Sequence, residues 1–189
     1  LDMDDLPVIT ISTHKITGTE HLPLGFKGIN RIALGVLYGD LLQKLYLKVR
    51  AYEKIPGSAQ KLLQKWQAAA IRDIDQGKRA LRANVQQIVS DFAAVETLDV
   101  KKPQVGIVGE ILLKYHPQAN LDILEALFAE GAEPRLGDIS SFLLYCLYDP
   151  VFQAKALKGP KLQAFASSFL LDYFESLRKI ANDALARAG

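Results

Sequence analysis

From Ile29 to Val95 the apolar residues return at helical spacing in three successive blocks, and at Lys101-Lys102-Pro103 that period stops. This break constrains the fold more than any other feature, because helix-period and strand-period segments bury their apolar faces in different ways. In the first block Ile29, Ala33, Leu37, Leu41 and Leu45 make one stripe, and Leu34, Val36, Leu42 and Val49 widen it. Such width predicts a helix buried around much of its circumference. Its most apolar stretch, Ile32 to Leu47, contains Asp40, Gln43 and Lys44. Those groups are costly at bilayer depth, so a core helix is expected rather than a membrane span. Ile55-Pro56-Gly57-Ser58 punctuates the chain, with Ser58 the expected N-cap. Leu62, Leu63, Trp66, Ala70, Ile71 and Ile74 mark a second helix, and Val85, Ile88, Val89, Phe92 and Val95 a third.

Beyond Pro103 the signals change. Val105-Gly106-Ile107-Val108 is too short for a helix and predicts a central parallel strand. Asn120 can cap a helix carried by Leu121, Leu124, Leu127 and Phe128, which Gly131 would end in the left-handed conformation. Ala132 to Leu136 should return to the sheet as a short or edge strand, since Pro134 cannot donate to a ladder. Asp138 is the expected cap of a helix with Ile139, Phe142, Leu143, Cys146 and Leu147 on one face, broken or kinked at Asp149-Pro150. A last helix runs on Leu162, Phe165, Phe169, Tyr173, Leu177 and Ile180. Near the start, Val8 to Ser12 reads as a strand behind Pro7, and Thr13 to Lys27 as a long loop.

Strands separated by helices argue for parallel pairing. The expectation is one α/β domain over 1–189: 29–97 a mainly helical insertion or layer, and 100–189 a βαβα-helical part. The sheet is expected to be small and parallel, of about three or four strands with flanking helices, like half of a Rossmann or flavodoxin fold. Ligands in such sheets bind beyond the carboxyl ends of the strands. Here those are the loop after Ser12, the loop after Val108 and the turn near Gly137.

Composition narrows the function. With 23 basic and 21 acidic residues the net charge is +2, which gives no long-range field for nucleic acid or anionic lipid. The single cysteine, Cys146, rules out a disulfide framework and a four-thiolate metal site made by the chain alone. It fits a reducing compartment, so a soluble cytoplasmic protein is expected. Leu1-Asp2-Met3-Asp4-Asp5 is acidic where a leader would be basic, and the absence of an initiator Met there suggests a piece of something longer.

The segment after the middle strand gathers the most chemistry. Glu110, Lys114, Tyr115 and His116 place a carboxylate, an ammonium, a phenol and an imidazole within seven positions. Glu110 suits a general base, Lys114 a phosphate or carboxylate partner, and His116 a proton shuttle or metal ligand. The plainer alternative is a Glu110–Lys114 ion pair, with His116 opening a turn before Pro117. Gly106-Ile107-Val108-Gly109 lacks the third glycine of a dinucleotide fingerprint and the Lys-Ser/Thr end of a P-loop, so close packing in a βα turn is its simpler explanation. Cys146 is expected to be a buried, inert thiol, and as a metal ligand it would need partners from another segment or chain. His14 and His21 have no recognised metal spacing. Asp40 either faces solvent or meets a partner such as an arginine. Arg72, Lys78, Arg79 and Arg82 read as solvated helix faces.

Several of these stretches together resemble a known family. Leu37-Tyr38-Gly39-Asp40-Leu41-Leu42, Arg50-Ala51-Tyr52-Glu53 and Gly57-Ser58-Ala59 are similar to its helical part. Lys102 to Glu110 and Lys114-Tyr115-His116-Pro117-Gln118-Ala119-Asn120 resemble its middle strand and loop. Glu130-Gly131-Ala132-Glu133 and Phe142-Leu143-Leu144-Tyr145-Cys146 complete the likeness. The family is the 2-hydroxyacyl-CoA (2-hydroxyglutaryl-CoA) dehydratase and dehydratase-activator proteins, also called CoA-substrate-specific activases, and in particular one domain of the large fused chains. The resemblance implies an iron–sulfur, ATP-driven system of low-potential electron transfer, in which an ATP-dependent activator feeds a cluster-bearing component. It also implies that Glu110, Lys114, Tyr115 and His116 are the site candidates. The chain departs from a complete component in lacking cluster cysteines, and it carries no sugar-kinase-like phosphate motif for ATP. The expectation is therefore a domain with no cofactor of its own, inactive alone, beside a cluster-bearing domain or subunit that holds the iron–sulfur cluster. An acyl-CoA or nucleotide-binding module, or a purely structural interaction domain, are the alternatives.

Overall fold

A computed structural model describes residues 9–10, 20–21 and 25–188. The chain is mainly helical, which corrects the expected α/β sheet of three or four strands. Phe26–Tyr52 (α1), Ser58–Asp73 (α2) and Lys78–Ala93 (α3) are the three helices read from the first blocks, with a short 3₁₀ turn at Ile74–Gln76. Gln104–Ile107 (β3) and Glu133–Leu136 (β4) flank two short helices, Ile111–Tyr115 (α4) and Ile123–Ala129 (α5). Ile139–Ala156 (α6) and Lys161–Ala188 (α7) follow. Ile9–Thr10 (β1) and Glu20–His21 (β2) pair parallel in a separate two-residue ladder. Residues 1–8, 11–19, 22–24 and 189 lie outside the described residues, and with them His14 and the site expected after Ser12.

The parallel pairing itself holds for β3 and β4, in the register Gln104↔Glu133 through Ile107↔Leu136. The β1–β2 ladder does not join them, so the sheet expected to organise the fold is a two-stranded appendage. What organises it instead is α1, about 40 Å long at 1.5 Å per residue. Its buried residues Ala33, Leu34, Leu37, Tyr38, Leu41, Leu42 and Leu45 pack with Leu81, Val85, Ile88 and Phe92 of α3 and with Phe174 and Leu177 of α7. Trp66, Ala69 and Ala70 of α2 close the other flank. Polar staples fix these helices. Asp91 accepts from the Trp66 indole (3.1 Å), Gln87 (2.7 Å) and Lys65 (2.6 Å), and these, Lys65 foremost, hold its carboxyl below the usual range. The Tyr173 hydroxyl donates to Asn30, which ties α7 to the start of α1.

The helix ends differ from their sequence reading. Gly57, left-handed at φ 87°, is the N-cap of α2 in place of Ser58, and Glu53 reaches back to accept from the Gly57 and Ala59 amides at 2.8 and 2.7 Å. Asn120 accepts only a long 3.4 Å bond from Ile123. Gly131 is left-handed, as read. α6 runs through Pro150 to Ala156 without ending there.

Cys146 is exposed on α6, against the expected burial. Of the stripe assigned to the inner face, Ile139, Leu143 and Leu147 are half-buried, with Leu143 against the core, but Phe142 is exposed like Cys146. Leu144 and Val151 are the buried apolar residues of α6, and Tyr145, Tyr148 and Phe152 are exposed. Leu157, Leu162, Phe165 and Phe169 continue this uncovered apolar surface around the α6–α7 turn. Arg72, Lys78, Arg79 and Arg82 are all exposed on α2 and α3, with Arg72 paired to its neighbour Asp73. Among the described residues, no helix is long and apolar enough to cross a membrane.

Candidate functional site

The candidate loop leaves the carboxyl end of β3. Gly109 turns it at φ 137°, a conformation that side-chain-bearing residues rarely adopt. Neither Gly106 nor Gly109 has a neighbour within 4 Å of where a Cβ would lie, which corrects the close-packing explanation. Gly109 is needed for its backbone angle, and Gly106 sits in open space.

The four candidate side chains divide into two groups. Glu110 is exposed and caps α4, accepting from the Leu112 amide at 2.7 Å. It forms no ion pair with Lys114. His116 is also exposed. Its carbonyl accepts from the amides of Ala119 and Asn120, and its Nδ1 takes a long 3.4 Å bond from the Ala119 amide, so it opens a turn. Lys114 and Tyr115 are half-buried, with the Lys114 ammonium 5.3 Å from the Tyr115 ring centroid.

Tyr115 is the residue that joins the two strand ends. Its hydroxyl donates to the carbonyl of Gly137, just beyond β4. Burial, then the nearby carboxylates of Asp40 and Asp138, push its pKa up, so it stays a neutral donor. The loop after Val108 and the turn at Gly137, read separately as strand-end sites, therefore meet. A cavity of about 140 Å³ lies against them, lined by Gln43, Lys114, Tyr115, Asn120 and Leu136 among others. That is below the 300–1,000 Å³ usual for small-molecule sites.

Asp40, expected either to face solvent or to meet a partner such as an arginine, has a partner, but it is a helix end and not an arginine. Its two oxygens accept from the Ile139 and Ser140 amides at 2.9 and 2.8 Å. It thereby caps α6 from another helix, where free amides and the helix dipole favour an anion. Asp138 holds the N-cap position but makes no side-chain cap bond; Lys44 lies 3.4 Å from its carboxylate. The remote cap seats the Gly137 turn, and so the partner of Tyr115, on α1.

The last turn of α1 carries the rest of the scaffold. Arg50 grips Glu125 of α5 with two 2.6 Å bonds, donates to Tyr46 at 2.7 Å and stacks 4.2 Å from the Phe128 ring centroid. The Arg50 bond holds the Glu125 carboxyl below its ordinary range. Tyr52 donates to Glu133 of β4 at 2.8 Å, which pushes the phenol up, and Gln104 of β3 donates to the same oxygen at 3.2 Å. Glu133 is 2% exposed; Arg135 comes within 2.8 Å of its other oxygen, without hydrogen-bond alignment. Sequence reasoning missed Arg50, Tyr52, Glu53, Glu125 and Glu133 as scaffold. The strand from Ala132 to Leu136 is expected to be short or at an edge, where a carboxylate needs no partner, so the burial of Glu133 has no signal in that reading.

Next to the cavity beside Tyr115, and sharing Gln43 and Leu124 with it, a larger apolar groove of about 700 Å³ runs along Gly35 and Gly39, walled by Leu63, Ile71 and Ile74. Among the described residues, no three His, Cys, Asp or Glu side chains gather as a metal group. Comparison of the chain with protein-family models, with curated proteins and with solved structures finds no match.

Proposed function

We propose that this chain is a domain of a 2-hydroxyglutaryl-CoA dehydratase/activator-like protein that packs against a cluster-bearing domain or subunit and forms one wall of its pocket. The observation that carries the reading is the joining of the two strand ends through Tyr115 and Gly137, on a strand pair whose β4 is covered by α1 and α5 while β3 is left half-open. Val108 is 90% exposed at the end of β3, and Leu112 and Leu113 are exposed beside it. Parallel strands are ordinarily buried on both faces, so a loop on such a half-open pair suits docking better than catalysis in isolation.

In this reading the iron–sulfur cluster belongs to the partner, because one thiol cannot supply its ligands. An ATP-dependent activator supplies the electron. Glu110 and His116, both exposed at the rim, face the partner's centre, with Lys114 and Tyr115 forming the floor behind them. Neither nucleic acid nor a membrane takes part, and the free thiol suits the cytoplasm.

The test begins with reconstitution of the chain with iron and sulfide, then turnover of a 2-hydroxyacyl-CoA with and without the cluster-bearing component and activator. The expected result is a colourless, iron-free, inactive chain that binds the component. A stoichiometric cluster on the chain alone, or thioester turnover by it, overturns the proposal. Glu110→Gln and His116→Ala are expected to lower turnover of the assembled system at least about tenfold while leaving assembly intact. Unchanged turnover favours a purely structural interaction domain. The CoA- or nucleotide-binding alternative predicts a raised Tm with free CoA or ATP.

A further inference from the structure

The two edges of the β3–β4 pair are not alike. The Glu133 amide donates to the Pro103 carbonyl at 2.8 Å, and the register Gln104↔Glu133 follows. Because backbone groups of a parallel strand alternate sides, Val105 and Ile107 of β3 and Glu133 and Arg135 of β4 face inward. Pro134 faces outward on β4, where its missing N–H costs no ladder bond and leaves no donor for an added strand. On β3 the outward residues are Gln104 and Gly106. Their amides and carbonyls find no backbone partner among the described residues. Gln104 and Gly106 are both exposed, so another backbone can come close. One edge is closed by a proline and the other is open, donor and acceptor in step.

We infer that the outer edge of β3 is a strand-addition site that receives an extended apolar segment of the cluster-bearing partner. Backbone groups in alternation define an extended chain as the occupant, since a helix keeps its own amides satisfied. The exposed Val108, Leu112 and Leu113 at the carboxyl end of the edge require that segment to be apolar there. Its arrival lays the partner alongside the Glu110–His116 loop, which gives the docking a direction. The inference rests on the reading above for the partner's identity, but the open edge stands on the backbone alone.

The test uses the 189-residue chain, the cluster-bearing component of a 2-hydroxyglutaryl-CoA dehydratase as probe, and the variant Gly106→Pro. Proline there removes an outward amide and spares every bond to β4, as Pro134 already does opposite. A second variant, Val105→Pro, removes an inward amide. Gly106→Pro is expected to keep the wild-type Tm and to weaken binding at least about tenfold, while Val105→Pro lowers the stability of the pair itself. Hydrogen exchange should show residues 104–108 gaining protection on binding. Undiminished binding by Gly106→Pro, or no gain of protection at 104–108, overturns the edge and leaves the proposed function standing. If the wild-type chain does not bind the component, that function falls. The edge, whose occupant is a segment of that component, falls with it, whereas undiminished binding by Gly106→Pro removes the edge alone.

Discussion

The helical bundle and the strand pair of this molecule are held by different physics. In the bundle, Leu34, Leu81, Ile88, Phe92 and Leu177 lose nearly all contact with water, and the staples at Asp91 are additions to an apolar core. The strand pair has at its centre a carboxylate, Glu133, with Pro134 beside it. Tyr52 of α1 bonds the pair directly, Arg50 and Asp40 hold the neighbouring α5 and α6, and the apolar Val108, Leu112 and Leu113 that follow β3 lie in the open. The bundle is thus self-sufficient, while the strand pair and the outer faces of α6 and α7 are arranged for cover that comes from elsewhere.

The contrast is broken most directly by deletion of side chains on each side. Phe92→Ala is expected to lower unfolding free energy by about 3–5 kcal/mol, through lost transfer energy and the cavity left behind. The matching Val108→Ala should stay within about 0.5 kcal/mol, as exposed positions do. Chemical denaturation of both decides it; equal losses would mean that the strand pair has an apolar core of its own. Next in size, Asp40→Ala should cost about 1–2 kcal/mol by orphaning the Ile139 and Ser140 amides, and Asp40→Asn should recover part of that. Loss of amide protection at 139–140 in the alanine variant locates the effect.

A smaller effect follows pH. The folded Glu125 carboxyl titrates below its ordinary 4.5, so its bond to Arg50 contributes in full above about pH 4.5. The contribution fades as pH falls through the folded value. Protection of α5 should therefore drop in acid before the bundle loosens, and Arg50→Gln should remove that early step; simultaneous loss everywhere would refute a separate clamp. Least of all, Cys146→Ser should leave stability within about 0.5 kcal/mol, and native Cys146 should react with a thiol reagent without denaturant. A thiol that reacts only on unfolding would return α6 to the orientation read from its sequence.

The sequence was legible where one physical rule acted alone. The wide stripe of α1, the strand at Val105 and the left-handed turn at Gly131 each follow from local pattern. It misled where tertiary context chose between equal options. The period of α6 named one face, of which Leu143 packs on the core while Phe142 and Cys146 are exposed; nothing local told that surface from a core. The sheet was overestimated for a related reason, since β3 reads as a central strand although no second neighbour is present among the described residues. For the candidate loop, proximity in sequence identified Lys114 and Tyr115 correctly as neighbours. Their meeting with Gly137, 22 residues beyond Tyr115, depended on strand register and on a cap supplied from α1.

Residues 50–53 close α1 with three attachments in four positions: Arg50 to α5, Tyr52 to β4 and Glu53 to the start of α2. A fraying of that single turn would release all three at once, so these segments should open as one cooperative unit at a lower free energy than the bundle. The molecule would then pass through a native-like state in which the docking region is loose and the bundle intact, and a partner that captures the loose form would select its shape during assembly.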